Sequence, residues 1–101
     1  MKIYLNDERN EPTYWVRAYW PNEVIELIKT GNVTEVSLDH DLGDDERGTG
    51  YDVILWIEEN VFANGLKPPK IKVHLANSAA RIKMELGIKS INKRVGKINE
   101  L

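Results

Sequence analysis

Hydrophobic and polar positions alternate early in the chain and then turn helical. Residues 2–5 (Lys-Ile-Tyr-Leu) are short and β-prone, and they run into a polar cluster, which reads as a strand entering a loop. Residues 14–20 (Tyr-Trp-Val-Arg-Ala-Tyr-Trp) are aromatic and β-branched, a second strand. Pro21 and Asn22 then open a helix with Val24, Ile25, Leu27 and Ile28 as its apolar face, and Gly31 stops it. Val33, Val36 and Leu38 mark a third strand ending at Asp39. After a loop rich in Asp and Gly, Thr49 and Asp52 form a capping box for a second helix. That helix carries Val53, Ile54, Ile57 and Val61, and Asn64-Gly65 ends it. Residues 70–75 place Ile71, Val73 and Leu75 on one face and Lys70, Lys72 and His74 on the other, a fourth strand. Asn77 or Ser78 caps a last helix, whose stripe of Met84, Ile88, Ile91, Val95 and Ile98 is the most sustained periodicity in the chain. Arg81 begins the same stripe, and Gly87 interrupts the propensity locally.

The order β, β, α, β, α, β, α predicts an α/β fold with about four mainly parallel strands and three helices, in one domain over residues 1–101. One connection is short for a parallel crossover. Only residues 6–13 join the first two strands, so either that crossover is a bare loop or the second strand is antiparallel.

Composition narrows the function classes. The chain has 101 residues, is 42% hydrophobic and 30% charged, and has a formal net charge of −2, which argues against a general nucleic-acid coat protein. It has no cysteine, so disulfides, thiolate zinc sites and cysteine nucleophiles are excluded together. The apolar run from Val53 to Ile57 is far shorter than the roughly 20 residues a membrane span needs. A cytoplasmic protein without a membrane partner is expected.

Ligands of open α/β sheets bind beyond the carboxyl ends of the strands. The first strand runs into Asn6, Asp7, Glu8 and Arg9, the third into Asp39, His40 and Asp41, and the fourth into His74, followed by Asn77. A parallel sheet would bring all three clusters to one edge. Both histidines of the chain fall there. Grouped carboxylates suit a hard cation such as Mg²⁺, which takes one or two carboxylates with waters and phosphate oxygens. Histidine transfers protons near neutral pH. Arg81, in the first turn of the last helix, leans toward the same edge and suits a phosphate, as do the amides near Gly48, Thr49 and Gly50 at a helix start. Taken singly, Asp7 and Glu8 also read as turn acids, the acids of residues 39–46 as a solvated loop, and His74 as a structural histidine. Together they favour a phosphoester ligand over a peptide or a sugar.

The segments LNDERNEP (5–12), SLDHDLGDDERGTGYDVILWIEE (37–59) and KVHLANSAARIKME (72–85) resemble the cyclic-phosphate-processing receiver-like family, a variant of the response-regulator receiver fold. The resemblance is carried most by Asp39-His40-Asp41-Leu42-Gly43 with Gly48, Gly50 and Trp56, and by His74 with Asn77. It implies a small receiver-like, flavodoxin-like three-layer fold that lacks a fifth strand. It also implies handling of cyclic or terminal phosphates of nucleotides or RNA ends. By similarity to receivers, Asp7 and Glu8 match the metal-binding acidic pair, and Asp39 the strand-end phosphoacceptor position. His40, Asp41, His74, Asn77 and Arg81 match positions peculiar to the variant family. Three positions depart from its usual pattern: Asn6 stands where an acid is common, Leu75 where a serine is, and Ala80 where a glycine is.

Three readings stay open. The first is a metal-assisted phosphoesterase, with Asp7, Glu8 and Asp39 on the cation, His40, His74 and Asp41 as catalytic residues, and Arg81, Asn77 and Arg9 on the phosphate. The second is a non-catalytic nucleotide- or phosphate-binding module using the same pocket. The third is a protein-interaction module: Arg81, Lys83, Lys89, Lys93, Arg94 and Lys97 face only Glu85 over residues 81–97, which would suit an anionic protein or RNA partner.

Overall fold

The structure, a computed structural model, describes residues 1–6, 11–39, 45–74 and 78–100. Four strands, β1 (Lys2–Leu5), β2 (Val16–Ala18), β3 (Glu35–Leu38) and β4 (Lys70–Val73), form one sheet in the order β2-β1-β3-β4. Every neighbouring pair is parallel. The helices are α1 (Pro21–Lys29), α2 (Gly50–Asn64) and α3 (Ser78–Glu100), with a short 3₁₀ turn at Asp45–Arg47. The expected α/β receiver-like order stands. The short first crossover is parallel, and none of its described residues is helical.

Register decides which side of the sheet is apolar. Ile3 pairs with Val36 and Val36 with Ile71; Leu5 pairs with Leu38 and Leu38 with Val73. These residues share one face. Ile3, Leu5, Val36 and Leu38 join Val24 and Ile28 of α1, Val53, Ile54, Ile57 and Val61 of α2, and Met84 and Ile91 of α3 in a single core. At roughly 1.5–3 kcal/mol per buried large apolar side chain, that cluster dominates the stability.

Among the described residues, α1, α2 and α3 all pack on this face. From β2 to β3 and from β3 to β4 the chain moves across the sheet in the same direction, so right-handed crossovers put α1 and α2 on the same side. The step from β1 to β2 runs the opposite way, and a helix there would have covered the other face.

Element boundaries moved for local reasons. β2 begins at Val16 rather than Tyr14 because Tyr14 has φ 72°, which no strand residue adopts. It ends at Ala18 because the N–H groups of Tyr19 and Trp20 donate to Oε1 of Glu23 at 3.1 and 3.0 Å, which starts α1. The β3 ladder excludes Val33 and starts at Glu35. The capping box is present: the Thr49 N–H donates to Oδ2 of Asp52 at 2.7 Å, and Oγ1 of Thr49 accepts from the Tyr51 N–H at 3.2 Å. The first of these bonds occupies the Thr49 amide, one of those the sequence offered to an anion at this helix start. Of the α3 stripe, Met84 and Ile91 are buried and Ile88 and Val95 half-buried, while the side chain of Ile98 lies outside the described residues. Gly87 has a packing reason: a Cβ there would come within 2.6 Å of Cγ2 of Ile54, so its absence lets α3 approach α2.

Candidate functional site

Residues on the second face alternate with the core residues. On this side lie Tyr4 of β1 with Asn6 just past its end, Ser37 of β3 with Asp39 just past its end, and Lys72 of β4 with His74 just past its end. Asn6, Asp39 and His74 form the row that continues the ladder past the strand ends: the Asp39 N–H donates to the Leu5 carbonyl and the His74 N–H to the Leu38 carbonyl, each at 3.0 Å. Adjacent parallel strands thus bring distant residues side by side at the carboxyl edge.

The row is bonded through Asn6, which is 1% exposed. Its Nδ2 donates to Oδ2 of Asp39 at 3.1 Å and lies 3.0 Å from Nε2 of His74. The carboxylate oxygen can only accept, so it fixes Nδ2 as the amide end pointing into the row. His74 Nε2 is then the acceptor, and Nδ1 carries the ring proton. Nδ1 lies 2.7 Å from Oγ of Ser37, to which it donates. The ring also stacks on Tyr4, with centroids 4.2 Å apart and planes 7° from parallel, and Tyr4 meets Trp15 edge-on at 6.2 Å. These contacts hold the His74 ring in one orientation, with Nδ1 turned to Ser37 and Nε2 to Asn6.

Arg17 closes the row from β2. Its Nε donates to the backbone carbonyl of Asn6 at 3.2 Å, and its guanidinium lies 4.6 Å from the Tyr19 ring centre. Behind Asp39, a Cβ on Gly50 would overlap the Asp39 carbonyl oxygen and come within 3.1 Å of Cε of Met84. Only glycine allows the first turn of α2 to press against the end of β3.

Farther down the same face, Glu35 is bonded to Lys72 at 3.0 Å and lies 3.7 Å from Lys2. The Lys72 hydrogen bond holds the Glu35 carboxyl below its ordinary value; the charges of Lys72, Lys2 and Lys70 add to this, and burial opposes it.

Of the residues singled out from the sequence, Asp39 and His74 converge on Asn6. Arg81 lies on the groove between β4 and α3, with its Nε 3.0 Å from Oε1 of Glu85. Asp7, Glu8, Arg9, His40, Asp41 and Asn77 lie outside the described residues. Two further basic residues of α3 pack on α2: Lys83 sits over Tyr51 and Arg94 over Phe62. Tyr4, Ser37 and Arg17 belong to the site and were not singled out. The signal for the first two was period two: each lies two residues before a strand-end residue on the same face. Nothing in the local sequence marks Arg17, whose place depends on β2 pairing with β1.

The donors at this edge suit a hard cation in kind, since Asp39 offers carboxylate oxygen and Asn6 an amide oxygen. Among the described residues no group of three or more His, Cys, Asp or Glu side chains is gathered for a metal. No described helix is long and apolar enough to cross a membrane.

A four-stranded parallel sheet with a polar row at its carboxyl edge defines a receiver-like α/β domain. Comparison with protein-family models matches residues 1–90 to the cyclic-phosphate processing receiver domain, and the chain belongs to that family. No curated protein and no solved structure matches the chain.

Proposed function

We propose that the chain binds the phosphate of a cyclic or terminal phosphoester, of a nucleotide or an RNA end, at the carboxyl edge of the sheet and processes it with a divalent cation. The observation that carries this reading is the bonded row of Asn6, Asp39 and His74. Asp39 and the carbonyl of Asn6 would hold Mg²⁺, with Asp7 and Glu8 as the further acids. The cation, when bound, neutralises charge on the phosphoryl oxygens. Asn6 would offer its amide hydrogens to a phosphate oxygen. Doing so withdraws them from His74, whose Nε2 then becomes able to take a proton. The imidazole is already oriented by Ser37 and Tyr4, so no reorganisation of the ring is needed. His40 and Asp41 would assist in proton transfer, and Arg81, Asn77 and Arg9 would contact the phosphate.

A second reading is favoured by one specific contact. In the resting site the Asn6 amide occupies Nε2 of His74, which suits a module that binds without turnover. Incubation with 2′,3′-cyclic nucleotides and cyclic dinucleotides, with Mg²⁺ or Mn²⁺, separates the two. Turnover that disappears in His74→Gln supports processing. Saturable heat in calorimetry without product supports binding alone. Neither heat nor product with any of these ligands rejects both.

A further inference from the structure

β4 is an edge strand of the sheet. The Lys70 N–H donates to the Thr34 carbonyl and the His74 N–H to the Leu38 carbonyl, so the even residues of this segment bond inward to β3. By alternation the N–H and C=O groups of Ile71 and Val73 point outward. Among the described residues no strand pairs with that edge. Beside it runs a groove of about 470 Å³ between β4 and α3, lined by Ile71, Val73, Ile88, Arg81, Lys89 and Glu85, among others. Its floor is apolar and its rim carries more cations than acids. On the opposite face of the strand, Lys70 is exposed and the Lys72 side chain is 53% exposed.

We propose that this edge binds an extended segment of a partner protein in which acidic and apolar residues alternate, as an added fifth strand. The apolar side chains would enter the groove over Ile71, Val73 and Ile88, and the acidic ones would face Lys70 and Lys72. Charge excludes the simplest competitor, a second copy of the chain. Antiparallel pairing about a two-fold at Lys72 is the register that uses Ile71 and Val73 of both copies, and it sets Lys72 opposite its own twin. Moving the two-fold to Ile71 sets Lys70 opposite Lys72. Like charges directly across a ladder destabilise it. In these two registers the lysines disfavour self-pairing, and they leave the edge selective for acids.

A fluorescein-labelled peptide alternating Glu and Val, titrated with the intact protein by fluorescence anisotropy, tests this. Saturable binding is expected, with amide shift changes at Ile71 and Val73 in ¹⁵N–¹H spectra. N-methylation is the discriminating probe. Methylating the Val nitrogens removes the bonds of an antiparallel added strand, and methylating the Glu nitrogens those of a parallel one. One series should weaken binding at least tenfold and the other leave it nearly unchanged. Replacing Glu by Lys should abolish binding. The proposal is overturned if the unmodified peptide does not bind, if the two methylated series behave alike, or if the Lys peptide binds as well. A dimer in sedimentation equilibrium with Ile71 and Val73 protected from exchange would assign the edge to a second copy and overturn it too.

Discussion

Nδ2 of Asn6 lies 3.0 Å from Nε2 of His74, and this contact decides which ring nitrogen carries the proton. An amide nitrogen cannot accept, so a protonated Nε2 would face a donor. Turning the Asn6 amide over would relieve that clash only by setting its oxygen against the Asp39 carboxylate.

Asn6→Asp should reverse this preference. A carboxylate beside Nε2 favours the imidazolium, so the His74 titration midpoint should rise relative to the wild type. Histidine ring shifts followed by NMR across pH measure it. Mg²⁺ should also bind more tightly, read by calorimetry, because a carboxylate replaces an amide. An unmoved midpoint would remove Asn6 from the His74 contact.

The Tyr4–His74 stack predicts a graded series. Tyr4→Phe keeps the ring, so its stability should stay within about 0.5 kcal/mol of wild type, whereas Tyr4→Leu should lose on the order of 1–3 kcal/mol in urea unfolding. If Leu is tolerated as well as Phe, the stack does not hold the histidine.

Glu35 gives the pH dependence. Its folded-state value lies below the ordinary carboxylate value, chiefly through the Lys72 hydrogen bond. A group depressed in the folded state stabilises above its unfolded pKa and loses that contribution as pH falls through the folded value. Glu35→Gln should therefore melt below the wild type at neutral pH. The two should converge once the pH drops beneath the carboxylate range. Added salt should narrow the neutral-pH gap, since Lys2 and Lys72 are half exposed. Parallel melting curves across pH would refute the ion-pair origin.

Gly50→Ala should cost about 1–3 kcal/mol, despite the better helix propensity of alanine, because the new methyl overlaps the Asp39 carbonyl rather than a mobile side chain. The phosphate-ester and metal binding proposed above should weaken with it, since Asp39 must move. Gly65→Ala is the control: its Cβ meets no atom within 4 Å, so only the cost of its φ of 66° remains. Equal losses in denaturant unfolding, with ligand binding intact in both, would deny that Gly50 supports the site.

Much of the fold was legible because its signals are local. Thr49 with Asp52, Asn64-Gly65, and the stripe from Met84 through Ile91 each fix an element without reference to anything distant. The convergence of Asp39 and His74 was also readable, since it needed only parallel strands and their carboxyl ends. The bond through Asn6 was not. As a departure from the family pattern it read as a carboxylate lost from the acidic cluster, whereas in the structure it is the residue that joins the other two. Strand limits failed where a side chain or a backbone angle overrode propensity, at Glu23 and Tyr14.

That strand order also sets how the chain must fold. β1 comes first in the chain yet is flanked on both edges, by β2 and by β3, and β3 in turn waits for β4. No ladder among the described residues closes as a hairpin; Lys2 meets Glu35 and Glu35 meets Lys70 only after long intervening segments have been drawn together. The loop entropy is lost before the contacts that compensate it form, so folding should be slow for a chain of this size. The earliest stable piece is then expected where the intervening chain is itself structured: α2 between β3 and β4, with the N-terminal strand inserted last.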